Sequence, residues 1–74
     1  MTRLPTLHAA KVLRALQKAG FVEVAQKGSH RSLWNRQTGR QTTIPVHGRD
    51  IPRGLMKQIL KQAGLSERDF RQLI

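Results

Sequence analysis

Two apolar stripes at helical spacing bracket three short strand-like runs, and neither stripe can be buried without the elements between them. The first stripe is Ala9, Val12, Leu13 and Leu16, with Thr6 as its expected cap and Gly20 as its stop. The second is Leu55, Met56, Ile59, Leu60 and Ala63, ended by Gly64. Between them, Phe21 to Gln26 reads as a strand, Lys27-Gly28-Ser29 as a turn and His30 to Asn35 as a second strand. Gln37-Thr38-Gly39 is a further turn, and Gln41 to Val46 a third strand. Pro45 cannot donate to a ladder, which places that strand at an edge or puts Pro45 at its end. The short connections predict an antiparallel meander. Ser66 starts a short last helix, with Glu67 and Asp69 in its first turn and Leu65 and Phe70 at hydrophobic-staple spacing. The expected fold is therefore α+β, in the order α-β-β-β-α with a C-terminal helix. The helices cover one face of a three-stranded sheet and leave the other open.

A chain of 74 residues is one domain, spanning 1–74, that buries only about 60% of its extended surface. A second domain or a deep cofactor pocket does not fit, and no cofactor is expected. Lys and Arg number 14 against 4 Asp and Glu, for a net charge of +10. The cations are spread along the whole chain, which points to a polyanionic partner, nucleic acid first. Cysteine is absent, which excludes disulfides and thiolate metal sites and favours a cytoplasmic protein over a secreted mini-protein. No apolar run is long enough for a membrane helix, and residues 1–11 lack the apolar core of a signal peptide.

Gly28-Ser29-His30 is the segment most suggestive of chemistry. Gly28 lets backbone approach a ligand closely, Ser29 adds a hydroxyl, and Lys27 and Arg31 flank the histidine. Cleavage of RNA through its 2′-OH needs a group that moves protons near neutral pH, which suits histidine, and cations that offset charge on the phosphoryl oxygens. On spacing alone, a hairpin turn followed by an ordinary surface histidine is the simpler account.

His47, at the end of the third strand, is a second site candidate, although a strand-end histidine bonded to backbone fits the same position. His8, near the start of the first helix, reads as solvated. The three histidines have no local ligand spacing, and four acids are too few for a two-metal nuclease, so no metal site is expected. Trp34 is the only indole; the shortage of other aromatics favours a place in the core, with stacking on a base as the alternative. Lys11/Arg14/Lys18 and Arg53/Lys57/Lys61 form basic ridges. A solvated helix face normally mixes signs, and these do not, so they are candidates to follow a phosphate backbone.

Taken in order, Gly20-Phe21, Gly28-Ser29-His30, Gly39-Arg40, Pro45-Val46-His47 and Ile59-Leu60-Lys61-Gln62-Ala63-Gly64-Leu65-Ser66 resemble the HicA family of bacterial toxins. The resemblance covers roughly residues 9 to 70. It implies a double-stranded-RNA-binding-like fold, in agreement with the element order above. It also implies a messenger-RNA interferase of a type II toxin–antitoxin pair, with its catalytic histidine at His30 and a HicB-type antitoxin that masks the site. Where family members often carry Gly-Thr-Leu at the start of the second helix, this chain has Gly54-Leu55-Met56. That departure removes a hydroxyl that would bear on helix capping or a phosphate contact.

The expected function is thus a metal-independent endoribonuclease acting on mRNA. His30 is the general base or acid, and Gly28 and Ser29 hold the scissile phosphate. Lys27 and Arg31 offset its charge, and Arg40, Arg49, Arg53, Lys57 and His47 contribute to a wider RNA footprint. The free toxin is expected to be a monomer, and its complex with antitoxin a heteromer. The rival is a non-catalytic RNA-binding module of the same fold, which reads shape and 2′-OH groups. A DNA-binding regulator ranks last, since nothing clearly reads as a helix-turn-helix.

Overall fold

The computed structural model describes residues 6–46 and 48–74. Its elements run β1 (Leu7–His8), α1 (Ala9–Lys18), β2 (Phe21–Lys27), β3 (His30–Asn35), β4 (Gln41–Pro45), β5 (Asp50–Ile51), α2 (Arg53–Ala63) and α3 (Glu67–Leu73). The central sheet has the antiparallel order β2-β3-β4, and β1 pairs with β5 in a separate two-stranded ribbon. This is the expected α+β architecture, with β4 and its Pro45 at an edge. The ribbon is new: two-residue strands carry no periodic signal in sequence. Pairing of Leu7 with Ile51 and His8 with Asp50 holds the chain extended through residue 8, so α1 starts later than expected. Its cap is His8 rather than Thr6, with the imidazole Nδ1 accepting from the Ala10 N–H at 3.4 Å.

The helical stripes fall where the spacing puts them. Val12 and Leu16 of α1 and Met56 and Ile59 of α2 are buried against Phe21, Leu33 and Ile44 of the sheet. Phe70 anchors α3 in the same core, and Leu65 packs beside it. The Ser66 hydroxyl caps α3 by accepting from the Asp69 N–H at 3.0 Å.

Alternation along a strand decides the two sheet faces. Phe21 stands opposite Asn35, and Leu33 opposite Thr42; all four are buried. Positions 30, 32 and 34 of β3 therefore turn to the other face. Trp34 is consequently not a core residue, contrary to the sequence expectation. It lies partly exposed on the open face between its cross-strand neighbours Val22 and Gln41. The core takes Asn35 instead. Its side chain donates to the Ala19 carbonyl at 3.2 Å and accepts from the Gln37 N–H at 2.9 Å, which satisfies both ends of a buried amide.

Candidate functional site around His30

His30 is the first residue of β3, directly after the turn Gly28-Ser29, and its cross-strand partner on β2 is Lys27. The loop has two residues. Gly28 has φ 61°, and no other residue type among those described has positive φ, so only the first turn position is left-handed. That is the type II′ pattern, which glycine at that position permits. The turn stands clear of other atoms: a Cβ placed on Gly28 would meet nothing within 4 Å. Lys27, Gly28, Ser29 and His30 are all exposed.

On the other side of β3, His30 pairs with Pro45. A groove of about 520 Å³ opens there, along the outer side of β4. His30, Thr43 and Pro45 form its sheet wall, Arg49, Asp50 and Pro52 its end, and Leu55, Gln58 and Gln62 of α2 its opposite wall. His30 and Arg49, 19 positions apart in sequence, thus face one space. The start of α2 adjoins it. The N-cap is Pro52, which gives no side-chain cap. Leu55 lines the groove, and Met56 is buried with its N–H on the Pro52 carbonyl at 2.8 Å.

The remaining candidates divide. Arg53 and Lys57 lie with Lys61 on an exposed ridge of α2, beside the helix wall of the groove. Arg31 is turned to the opposite face from His30, with its Nε 3.2 Å from the Glu23 carboxylate. Its charge is therefore offset within the fold, which differs from the phosphate-facing place expected for it. Arg40 lies about 17 Å along the ladder from His30, at the Asn35 end of β3. Its side chain lies against Gly64, the residue that closes α2. There it sits where a helix end favours a cation. His47 lies outside the described residues.

Thr43, Asp50 and Gln58 are groove residues that the sequence pattern did not single out. Thr43 was legible in principle, since the meander register puts Thr43 and Pro45 on the His30 face. Asp50 and Gln58 were not, because their approach depends on the loop after β4 and the seating of α2. Among the described residues, no three of His, Cys, Asp and Glu gather as a metal-binding group, and no helix is long and apolar enough to cross a membrane.

No curated protein matches the chain. The family model described as HicA toxin of bacterial toxin-antitoxin matches residues 9–65, from the first residue of α1 to the residue after the α2 cap, and so includes the turn, His30, the groove and Arg49. A match over most of the chain, on a sheet and helix order that agrees with it, establishes that the protein belongs to the HicA toxin family of bacterial toxin–antitoxin systems.

Proposed function

We propose that this toxin is a metal-independent endoribonuclease that cleaves messenger RNA at His30. The observation that carries the proposal is the position of His30: exposed at the mouth of a hairpin, opposite Lys27, and on the wall of an open groove that also holds Arg49. His30 acts as general base on the ribose 2′-OH. The O2′ then attacks phosphorus, the bond to the 5′-oxygen breaks, and that oxygen takes up a proton. The products are a 2′,3′-cyclic phosphate and a 5′-hydroxyl.

Lys27 and Arg49 offset charge on the non-bridging oxygens, and the exposed Gly28-Ser29 backbone lets the phosphate come close. Of the described groove residues, His30 and Asp50 are the two whose side chains give and take protons, so Asp50 joins His47 as a candidate for the second proton transfer. Metal independence is supported by the donor supply: four carboxylates in the whole chain, of which Glu23 is engaged by Arg31.

An acidic antitoxin of the HicB type, covering the groove, is the partner that fits a chain of charge +10; its association slows as salt rises. The cytoplasm, where messenger RNA is translated, is the place of action.

The test is cleavage of a single-stranded RNA by purified protein. The wild type is expected to leave cyclic phosphate ends, to spare DNA of the same sequence, and to be indifferent to chelator. His30→Ala is expected to bind and not cut. Cleavage of DNA, loss of activity with chelator, or full activity of His30→Ala refutes the proposal. If the wild type binds RNA and never cuts it, the protein is a binding module.

A further inference from the structure

We infer that Trp34 is a base-stacking residue, and that the open face of the sheet carries a single-stranded stretch of the RNA that reaches His30. The inference rests on the ribonuclease reading above and adds to it the form of the substrate and a second point of contact.

The sequence favours a core tryptophan, and the structure puts it elsewhere. The β3–β4 pairing runs without a break from His30 opposite Pro45 to Trp34 opposite Gln41, so positions 30, 32 and 34 share one face. His30 and Trp34 are therefore on the same side of the same strand, about 13 Å apart. A few nucleotides of extended strand span that distance. Neither residue is needed to fill the core, which Leu33, Ile44 and Phe21 complete from the opposite face. The indole packs among its strand neighbours on that face and keeps part of its surface in water, and Val22 beside it is 53% exposed. The described helices pack on the core side, and α2 borders this face only across the groove beside β4.

The character of the face argues for RNA over a protein. Between His30 and Trp34 it carries the hydroxyls of Ser32 and Thr43, and directly opposite Trp34 the Gln41 amide. Lys27 closes the His30 end. None of the four acids is on it: Glu23 faces the core side and pairs with Arg31, Asp50 is in β5, and Glu67 and Asp69 are in α3. A sheet face with no carboxylate on its strands, Asp50 being confined to the groove beside His30, and with a lysine at one end, one aromatic platform and hydrogen-bonding groups between, has the chemistry that holds single-stranded nucleic acid without strict sequence preference. Arg40 takes no part, because its side chain is turned to the helix layer at Gly64.

Trp34 is the only tryptophan of the chain, so its own fluorescence reports the contact. The experiment titrates a short single-stranded oligoribonucleotide into full-length His30→Ala protein, which removes cleavage from the measurement. Fluorescence is expected to be quenched on binding. Trp34→Ala, in the same background and shown to be folded by circular dichroism, is expected to bind about tenfold more weakly, while Trp34→Phe retains most of the affinity. A fully paired RNA duplex of equal length offers no free base and is expected to bind Trp34→Ala and the parent alike.

Absence of quenching, or equal affinity of the parent and the folded Trp34→Ala protein, overturns the inference. Loss of binding to the antitoxin with RNA affinity unchanged also overturns it and makes the face a protein-docking surface. These outcomes are independent of the ribonuclease reading, which stands or falls on cleavage by the protein with His30 intact.

Discussion

Val46 donates its N–H to the carbonyl of Ser29, fastening the turn before His30 to the end of β4. Pro45, which pairs with His30, has no N–H to give, so the ladder makes its last bond one residue further on. His30 is thereby held from β2 by Lys27 and from β4 by the bond next to it. Val46→Pro removes the donor. It is expected to lower the melting temperature by about 4–8 °C, corresponding to about 1 kcal/mol in a domain of this size. It is also expected to reduce kcat while RNA affinity holds, because placement of the reacting group, more than binding, is disturbed. Val46→Ala keeps the N–H and loses only side-chain packing, so it is expected to melt earlier and retain kcat. Parallel melts and single-turnover cleavage of the two variants check this.

His30→Ala separates chemistry from folding. The side chain is exposed, outside the core and away from the buried hydrogen bonds of Asn35 and Thr42. The expected change in stability is within about 0.5 kcal/mol, as for most surface substitutions. The expected loss of cleavage rate is about 10²- to 10⁴-fold, the usual contribution of a positioned proton-transfer group. Thermal melts and cleavage under single-turnover conditions measure both. A large drop in stability would show that His30 is a structural residue.

Arg49 and Arg40 provide a paired comparison, since both read as RNA-binding residues in sequence and only Arg49 reaches the groove with His30. Arg49→Gln is expected to flatten the salt dependence of single-stranded RNA binding by about 0.7 in the log–log slope, the change produced when the protein neutralises one phosphate fewer. Arg40→Gln is expected to leave the slope unchanged. Filter binding over a range of salt concentrations gives both slopes. A fall of similar size for Arg40→Gln would extend the footprint across the helix layer.

The division between legible and illegible features follows from the range of the forces involved. The stripes of α1 and α2, the turn at Gly28-Ser29, the Ser66 cap and the Gly64 stop are local. Each depends on residues within one or two turns of chain, so the sequence displays them directly. The same holds for His30, whose turn and strand position come from its immediate neighbours. Trp34 and Arg31 were harder, because their faces depend on strand register, which a one-residue slip reverses. Register here is set across the sheet by Phe21, Asn35, Leu33 and Thr42. Arg40, Asp50 and Gln58 depend on the seating of α2 against β4, a tertiary relation with no local signature. The β1–β5 ribbon joins residues more than 40 positions apart through two residues a side.

Gly64 is the position where a small substitution should cost most for its size. It closes α2 at φ 74°, a left-handed conformation that disfavours a side chain by about 1–2 kcal/mol. A Cβ there would also come within 2.6 Å of the Arg40 Cδ, so the Arg40 side chain must leave the helix end. Gly64→Ala is therefore expected to lower the melting temperature by at least about 4–8 °C. The two causes are separable. In an Arg40→Ala background the steric part disappears and the backbone part remains, so Gly64→Ala is expected to cost less there than in the wild type, and still something. Equal costs in the two backgrounds would mean that Arg40 moves aside freely and contributes nothing at the end of α2. A double-mutant cycle on melting free energies reads the difference directly. Because Gly64 lies at the far end of the ladder from His30, cleavage by the folded Gly64→Ala protein is expected to match the wild type below its melting range.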